Sequence, residues 1–353
     1  MELRDLMSSQ GEWLRGEGPH SGVVISTRIR LARNIAGYPF LRRMNAEQRQ
    51  EIEGEVRQAV DDLALFKSAC YLQLDRASAI DRQFLMERRL ISRELAAAEG
   101  ERAVAFDRDE TASVMVNEED HLRLQTMRSG LGLEEAWRQA NEIDDRLESR
   151  LSFAFSSRLG YLTACPTNVG TGLRVSVMLH LPALVITRQI EKVFQAIARM
   201  RLAVRGLYGE GTQALGDFYQ ISNQQTLGKS EAEILETVNL TVPRIIEYEE
   251  KAREALARES ELFLEDRLWR AVGILRHARQ MSSEEALSLL SAVRMGVNMG
   301  RVRGIDVPTI NRLFVCSQPG HLQMRHGEEL SAEQRDRARA EYISDALRQA
   351  NPN

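Results

Sequence analysis

Apolar and polar residues alternate along residues 23–34, VVISTRIRLARN, and this alternation predicts a β-strand. Arg28 and Arg30 share one face of the strand, about 7 Å apart, while Ile25 and Ile29 share the other face. No acidic residue within this stretch can pair with the two arginines. The strand therefore presents a candidate binding site for an anion.

Helical and strand patterns both occur further along the chain, which is typical of an α+β domain. Helical spacing of apolar residues is found in three segments: 45–65, which Asn45 opens, 133–149 and 188–204. Strand patterns are found in three other segments: 102–125, 161–186 and 205–228. The first is interpreted as a strand, a turn and a second strand. The second is a loop followed by a strand, and the third has strand character near DFYQIS.

The pattern becomes helical throughout from about residue 245. Residues 247–280 carry a long helical pattern with almost no helix-breaking residues. A cap-like serine opens a further helix in 282–297, and 331–350 is helical as well. We therefore expect a short helix and loop in the N-terminal segment 1–20, an α+β domain over 21–248 and a helical C-terminal domain over 249–353.

The composition, 43% hydrophobic and 28% charged residues in a chain of 353, is that of a globular protein with a sizeable core. The formal net charge of −4 does not favour general binding to nucleic acid or to an anionic membrane. The N-terminus lacks the apolar core of a signal peptide, and no apolar run is long enough to span a bilayer. We expect a cytoplasmic protein with no membrane partner and no direct nucleic-acid partner.

Three cysteines, Cys70, Cys165 and Cys316, lie far apart in the sequence. Their spacing matches neither a zinc site nor a disulfide framework, which favours a reducing compartment. We therefore predict no metal site built from protein ligands.

Three further segments combine arginine with turn residues: NEEDHLR (117–123), CPTNVGTGLRVSV (165–177) and VRGLYGEG (204–211). Taken singly, Arg123, Arg174 and Arg205 are typical of solvated or ion-paired surface residues. Together with Arg28 and Arg30, beside glycine-containing loops, they favour a polyphosphate site, because guanidinium groups match phosphate oxygens. The sequence thus predicts a nucleotide as the anion.

The common nucleotide motifs are absent from the sequence. LGKS at 227–230 resembles the end of a P-loop, but Asn223 stands where that motif needs its first glycine. There is no HRD or DFG motif of a Ser/Thr/Tyr kinase, and no GxGxxG follows a strand. A phosphotransferase with this sequence must have another architecture.

In this order, STRIRLARN, NEEDHLR, CPTNVGTGLR and RGLYGEG resemble the catalytic domain of the phosphagen (guanidino) kinases. The resemblance implies an α+β fold in which helices flank an antiparallel sheet, with a helical C-terminal domain after it. It also implies phosphoryl transfer between Mg²⁺-ATP and a guanidinium group, so that ATP and Mg²⁺ are the expected cofactors.

Two features resemble the bacterial protein arginine kinases within that family. Only 25 residues precede the STR block, where small-molecule phosphagen kinases carry a helical domain, and 249–353 follow the catalytic part. Residues 335–340, RDRARA, match the RDxxRA pattern with which that subfamily binds phosphoarginine allosterically. The set implied at this second site is Arg335, Asp336, Arg339 and Ala340.

The resemblance assigns roles to residues of the catalytic part. Glu119 and Glu210 would grip the acceptor guanidinium, with Glu119 accepting its proton, and Cys165 would lie beside them. Arg89, in ERRLIS (87–92), stands where the subfamily often has histidine beside the nucleotide. The implied nucleotide-binding set is Ser26, Thr27, Arg28, Ile29, Arg30, Arg89, Arg123, Arg174, Val175, Ser176, Arg205, Gly206 and Gly209.

The resemblance also implies a physiological setting. Phosphorylated arginines would mark proteins for a Clp-type protease, and phosphorylation would regulate a stress-response repressor. The expected partners are protein substrates with exposed arginines, a zinc-binding activator, the Clp machinery and a second copy of the chain.

Three alternatives remain open at this stage. The protein could be a phosphagen kinase for free arginine or a related guanidine, a non-catalytic adaptor that binds phosphoarginine, or a DNA-binding regulator. ATP turnover distinguishes the first from the other two, and the identity of the acceptor distinguishes it from a protein kinase.

Overall fold

The computed structural model describes residues 3–66, 69–206 and 215–350. Its strands are, in chain order, β1 Val24–Arg33, β2 Cys70–Gln73, β3 Ala103–Phe106, β4 Ala112–Val116, β5 Leu122–Ser129, β6 Phe155–Ser156, β7 Gly160–Tyr161, β8 Leu173–His180, β9 Leu202–Gly206 and β10 Phe218–Asn223. Within the described ranges, eight strands form one antiparallel sheet in the order β2-β3-β4-β5-β1-β8-β10-β9, and β6 and β7 form a hairpin.

The helices flank this sheet and fill the C-terminal part. In chain order they are α1 Ala46–Asp62, α2 Ala79–Glu87, α3 Arg93–Ala97, α4 Leu133–Glu148, α5 Pro182–Ile186, α6 Ile190–Arg199, α7 Glu231–Glu259, α8 Glu261–His277, α9 Ser283–Asn298, α10 Val307–Cys316, α11 Pro319–His326 and α12 Ala332–Ala350. Short 3₁₀ helices occur at Leu3–Ser8, Glu12–Leu14, Leu41–Arg43 and Leu215–Asp217. The expected α+β architecture, an antiparallel sheet with flanking helices and a helical C-terminal part, is confirmed.

One face of the sheet packs on helices, because most apolar side chains of its long strands point to that side. Ile29 on β1 and Val175 and Val177 on β8 are fully buried there. The same apolar cluster continues into the C-terminal helices through residues such as Leu268 and Leu290. The sheet and the C-terminal helices therefore share a continuous core.

A buried arginine also fastens the C-terminal helices to the segment before β1. Arg294 on α9 donates to the carbonyl oxygens of Ser21, at 2.6 Å, and Gly22, at 3.2 Å. Its Nε atom donates to Asn311 Oδ1 on α10 at 3.1 Å. The position of α10 relative to the sheet is thus fixed by hydrogen bonds as well as by packing.

Several predicted elements are confirmed at their starting residues. Asn45 caps α1 with a reciprocal capping box to Gln48, and Ser282 caps α9. The strand predicted near DFYQIS is β10. α7 begins after Ser230 and crosses residue 248, where we expected the first domain to end.

Three predicted elements are wrong in detail. The segment 102–125 contains three strands rather than two, because Asp107 accepts a hydrogen bond from the Thr111 amide and closes an additional turn. The helix predicted over 188–204 ends at Arg199, and the positive φ of Arg201 leads into β9. The long helix predicted over 247–280 is interrupted at Ser260, whose φ and ψ of −141° and 40° are not helical.

A β-bulge corrects one side-chain position in β1. The pairing of β1 with β8 shifts register between Val24 and Ser26, so the alternation predicted from sequence is interrupted at Ile25. Ile25 packs with Met127 and Met178, which lie on the arginine-bearing face, rather than in the core with Ile29.

Candidate active site

Five arginines lie on the sheet face opposite the core. Residues paired across antiparallel strands share a face, and Arg30 pairs with Arg174 on β8. Ala32, two residues after Arg30 and therefore on the same face, pairs with Arg123 on β5. Gln220 on β10 pairs with Met178 on β8, which is on the face of Arg174, and with Arg205 on β9. The structure therefore brings together the whole predicted set, namely Arg28, Arg30, Arg123, Arg174 and Arg205.

The arginine cluster is strongly electropositive. Burial, followed by the charges of neighbouring arginines, lowers the pKa of Arg28 and of Arg30 well below the ordinary value. The buried Nε of Arg30 has no hydrogen-bond partner among the described residues. A polyphosphate fits this face, because it would supply both the missing acceptors and the missing negative charge.

Two adjoining cavities open over the arginine cluster. The first, of about 620 Å³, brings Glu119 and Cys165 together with Arg30, Arg123 and Arg174. The second, of about 640 Å³, shares those arginines and extends to Arg89. The predicted catalytic carboxylate and cysteine thus face the predicted phosphate-binding residues.

Glu118, which sequence reasoning did not single out, organises the turn before β5. Its carboxylate forms an ion pair with Arg123 and accepts hydrogen bonds from Ser92 Oγ, at 2.5 Å, and from the Glu119 amide, at 3.1 Å. Burial acts to raise the pKa of Glu118, but Arg123 and these hydrogen bonds hold it below the ordinary value. Glu118 therefore positions both Arg123, a predicted phosphate-binding residue, and the backbone of Glu119.

Asp120 connects the same turn to the cysteine loop. Its Oδ1 atom accepts hydrogen bonds at 2.6 Å from the Ala164 amide and from Asn34 Nδ2. Cys165, the next residue, has its Sγ 3.0 Å from Thr167 Oγ1. The sequence signal for Asp120 was its place in the NEEDHLR block, but nothing in that pattern indicated which residue it contacts.

The remaining predicted nucleotide-binding residues divide between the two faces of the sheet. Ser176 Oγ accepts a hydrogen bond from Arg28 Nε at 3.4 Å, and Ser26 lies on the same face, paired with Met178. The side chains on the opposite face are fully buried: Thr27, Ile29 and Val175. The side chains of this second group do not face the cavities, so they can affect nucleotide binding only by holding β1 and β8 in position.

Arg89 lies at the edge of the second cavity. Its backbone has a positive φ of 62°, and its carbonyl oxygen accepts a hydrogen bond from Gln125 Nε2 at 2.5 Å. The guanidinium carbon lies 5.7 Å from the ring centre of Trp13, within cation–π range. Arg89 therefore connects the N-terminal segment to the arginine cluster.

Part of the predicted site falls outside the described residues. Glu210 and Gly209 belong to the segment 207–214, whereas Gly206 ends β9 directly before it. The role assigned to Glu210 by resemblance stays a prediction.

The RDxxRA residues lie on α12, outside both cavities. Arg339 is buried and donates to the Ser317 carbonyl at 2.9 Å, the Met281 carbonyl at 2.7 Å and Asp336 Oδ1 at 2.6 Å. Arg335 is half-buried and donates to the Leu330 carbonyl at 2.9 Å. The two arginines of the motif therefore have different surroundings, although Asp336 lies close to both in sequence.

Neither a membrane span nor a protein metal centre is found in the part of the chain that the structure describes. No helix there combines the length and apolarity that a bilayer crossing requires. No cluster of three or more His, Cys, Asp or Glu side chains there could hold a metal ion. A Mg²⁺ ion bound mainly through phosphate oxygens needs no such cluster.

Two family profiles match the chain. The profile described as "ATP:guanido phosphotransferase, C-terminal catalytic domain" matches residues 51–252. The profile described as "Protein-arginine kinase McsB C-terminal domain" matches residues 261–353. The first contains Glu119, Cys165 and most of the arginine cluster, and the second contains the RDxxRA segment.

Curated relatives match over nearly their full length. The chain is 48% identical to the protein-arginine kinase of Moorella thermoacetica, covering 97% of this chain and 98% of the relative. It is also 48% identical to the protein-arginine kinase of Symbiobacterium thermophilum, with the same coverage. Among solved structures, a lombricine kinase is similar with a TM-score of 0.58 and 28% identity, covering 69% of each chain.

Proposed function

Since the chain belongs to the protein-arginine kinase family of ATP:guanido phosphotransferases, we propose that it phosphorylates arginine side chains of other proteins. The phosphoryl donor is ATP with Mg²⁺. The observation that carries the proposal is one cavity in which Glu119 and Cys165 face the arginine cluster. In this proposal Glu119 is the proton acceptor, and the arginines beside it bind the phosphates.

On the donor side, the arginines align and neutralise the triphosphate. Phosphoryl transfer depends mainly on alignment and on stabilising the charge of the transferred group. Arg30 and Arg174, opposite each other on β1 and β8, would grip phosphate oxygens, and Arg123 is held in place by Glu118. Mg²⁺ would neutralise further charge on the phosphates.

On the acceptor side, the guanidinium must lose a proton to become a nucleophile, because it is cationic at neutral pH. Glu119 would accept that proton as the new N–P bond forms. The bond between the γ-phosphorus and the β–γ bridging oxygen breaks, and its electron pair remains on ADP. Cys165 would lie beside the acceptor nitrogens, and Glu210, by resemblance, would hold the guanidinium from the other side.

A second proposed site lies on α12. Arg335 and Asp336 are half-buried and hence accessible to a ligand, whereas Arg339 is already hydrogen bonded to two backbone carbonyls. We propose that Arg335 and Asp336 contact phosphoarginine directly and that Arg339 and Ala340 hold the helix in position. Allosteric coupling from this site to the kinase reaction is part of the proposal.

We also propose a homodimer in the cytoplasm. Large apolar side chains are exposed on α8, including Leu262, which is 84% exposed, Phe263 and Trp269. Apolar patches of this kind favour protein association. Light scattering of the purified chain beside a Trp269→Glu variant tests this surface, and an unchanged mass would contradict its role.

The remaining proposals concern partners and rest on the family resemblance. They are protein substrates with exposed arginines, a zinc-binding activator, recognition of phosphoarginine proteins by a Clp-type protease and regulation of a stress-response repressor. Pull-down of phosphorylated and unphosphorylated substrate with the Clp machinery tests the marking role.

The experiment that tests the main proposal compares acceptors. The purified chain is incubated with Mg²⁺ and γ-phosphate-labelled ATP, with an arginine-rich unfolded protein in one reaction and free arginine in another. Acid-labile label on protein arginine, dependent on Glu119, supports the proposal. Label on free arginine alone would indicate a small-guanidine kinase, and no turnover in either reaction, with or without cell extract, would indicate a binding protein.

A further inference from the structure

Three arginines outside the predicted nucleotide-binding set also line the second cavity. Arg42 belongs to the 3₁₀ helix Leu41–Arg43, Arg49 lies near the start of α1, and Arg102 directly precedes β3. The same cavity is lined by Glu119, the predicted proton acceptor. We call Arg42, Arg49 and Arg102 the rim arginines, because they lie on elements at the edge of the arginine-bearing sheet face.

A buried asparagine holds two of the rim arginines close to the acceptor turn. Asn117 Nδ2 donates to the backbone carbonyl oxygens of Arg49 and of Glu101, both at 3.0 Å. Glu101 directly precedes Arg102, and Asn117 is two residues before Glu119 in the turn that leads into β5. The backbones that carry Arg49 and Arg102 are therefore fastened to the segment that carries Glu119.

The rim arginines are not neutralised within the described part of the chain. The Nε atoms of Arg49 and Arg102 are buried and have no hydrogen-bond partner there, while Arg49 Nη2 donates to the Leu41 carbonyl at 3.3 Å. Burial and then the charge of Arg49 lower the pKa of Arg102. Glu118 opposes this shift, but its carboxylate already pairs with Arg123. An anion in the cavity would supply the missing negative charge.

The rim arginines are also separate from the nucleotide-binding arginines. Besides burial, the charges that lower the pKa of Arg28 are those of Arg89, Arg123 and Arg174, rather than those of the rim arginines. The predicted phosphate-binding arginines stand on the sheet strands β1, β5, β8 and β9, whereas the rim arginines come from helical and loop segments. The cavity thus offers a second cationic position beside the one assigned to the triphosphate.

We propose that the rim arginines bind a carboxylate side chain of the protein substrate, supplied by an aspartate or glutamate a few residues from the target arginine. The inference rests on the proposed function, because it takes Glu119 as the position of the acceptor guanidinium. Two residues of extended chain span about 7 Å, so the two-residue separation of Asn117 and Glu119 corresponds to a carboxylate about two to four residues from the target.

The chemistry of the rim arginines favours a carboxylate for this role. Guanidinium groups bind carboxylates through paired, charge-assisted hydrogen bonds, which are stronger than hydrogen bonds between neutral groups. A polypeptide whose arginine enters the cavity also brings its neighbouring side chains to the rim. The kinase would therefore select arginines that have acidic neighbours.

The test measures phosphorylation of unstructured peptides, each with a single arginine, by the full chain with Mg²⁺-ATP. In one set a glutamate stands two, three or four residues from the arginine on either side, and in the other set glutamine replaces it. The wild type is expected to have a KM about tenfold lower for at least one glutamate peptide than for its glutamine counterpart. The two kcat values are expected to be similar, because the carboxylate takes no part in phosphoryl transfer.

Substitution of the rim arginines is expected to remove this preference. In Arg49→Gln and in Arg102→Gln the ratio of the two KM values should fall to about one, and Arg102→Lys, which keeps the charge, should retain part of it. Arg43→Gln is the matched control, because Arg43 is exposed on the same 3₁₀ helix as Arg42 and lines neither cavity. Its preference should equal that of the wild type, and thermal unfolding shows whether each variant is folded.

The other outcomes separate failure of the inference from failure of the proposed function. If the wild type labels an arginine-rich unfolded protein but does not distinguish glutamate from glutamine peptides, the inference is wrong and the proposed function stands. A preference that persists in both folded variants would also overturn the inference. If the variants raise the KM for ATP as much as that for the glutamate peptide, the rim arginines belong to the nucleotide site. If the wild type labels neither peptides nor unfolded protein, the proposed function is wrong and the inference falls with it.

Discussion

Arg30 and Arg174 lie directly opposite each other on the neighbouring antiparallel strands β1 and β8. Like charges at such positions repel, and burial intensifies the repulsion because water no longer screens it. Glu118 reduces the positive charge near Arg30 only in part. A bound anion would offset the repulsion that remains at this point of the sheet.

Replacing one of these arginines is expected to weaken nucleotide binding without lowering the stability of the fold. Arg30→Gln should keep or raise the free energy of unfolding, since it removes a buried like charge, and should weaken Mg²⁺-ATP binding by about tenfold or more. Thermal unfolding with and without nucleotide measures both effects, because a ligand stabilises the state that it binds. Arg258→Gln, at an exposed position on α7, should change neither. A clear loss of stability in Arg30→Gln without nucleotide would contradict this account.

The adjacent residues Glu118 and Glu119 are expected to have opposite kinetic signatures. Glu119→Gln should lower kcat by about 10² to 10⁴-fold and leave ATP affinity nearly intact, because it removes only the proton acceptor. Glu118→Gln should weaken ATP binding as well, because it releases Arg123 and the Glu119 amide. Kinase assays beside nucleotide titrations of both variants make the comparison. Equal effects of the two changes on ATP affinity would show that the roles are not divided in this way.

Local signals were sufficient for the framework of the fold. Alternation predicted β1, and cap residues predicted the starts of α1 and α9, because these signals depend on neighbours within a few residues. The break at Ser260 has no glycine or proline to mark it, and the strand β9 is short and follows a helix without a recognisable turn motif. Such features are decided by tertiary packing, which the sequence pattern does not display.

The site was predicted in part for the same reason. The motif blocks indicated the arginines, Glu119 and Cys165, and the strand register brings them together. The hydrogen bonds from Ser92 to Glu118 and from Ala164 to Asp120 join segments that are far apart in the sequence, so the pattern of neighbouring residues could not indicate them. The apolar side chains that line the second cavity, such as Trp13 and Phe314, were not predicted, because they come from segments far apart in the sequence.

We expect the protein to lose stability in acid because His180 is buried. His180 Nδ1 accepts from Arg294 at 3.1 Å, so its Nε2 carries the proton and donates to Ser291 Oγ at 2.9 Å. Burial, and then the charges of Arg294 and Arg253, lowers the pKa of His180 well below its ordinary value. Below about pH 6.5, His180 therefore binds a proton in the unfolded chain but not in the folded chain. The free energy of unfolding falls as the pH falls.

The contribution of His180 to that loss is measurable by substitution. His180→Gln can keep a donor and an acceptor but cannot titrate, so its stability should fall less on acidification, by up to about 1.4 kcal/mol per pH unit. Urea unfolding of both proteins at about pH 8 and about pH 5.5, on either side of the ordinary histidine pKa, gives the difference. Identical pH dependence in the two proteins would mean that His180 takes up its proton in the folded state.

Arg335 and Arg339, the two arginines that the RDxxRA pattern specifies, are expected to have different roles. Arg339→Ala removes hydrogen bonds to the carbonyls of Ser317 and Met281 and should cost about 2–5 kcal/mol of stability. Arg335→Ala loses a single hydrogen bond, to Leu330, and should cost within about 1 kcal/mol while abolishing phosphoarginine binding. Chemical denaturation and titration with a phosphoarginine peptide separate the two effects. Full stability in Arg339→Ala would refute the supporting role of that residue.

Asp120 is expected to act on catalysis through the cysteine loop. Its Oδ1 atom accepts from the Ala164 amide and from Asn34 Nδ2, both at 2.6 Å, so Asp120→Ala removes an acceptor shared by these two donors. The change should cost about 1–3 kcal/mol of stability, lower kcat and leave the KM for ATP nearly unchanged, because the arginine cluster is not touched. Alkylation of Cys165, followed by peptide mass spectrometry, provides a readout independent of turnover, and Cys316, which lies on α10 away from the cysteine loop, serves as the internal control. A displaced loop should change the alkylation rate of Cys165 and not that of Cys316. If kcat falls while the reactivity of Cys165 stays the same, Asp120 acts on the acceptor or on Glu119 rather than by positioning the cysteine.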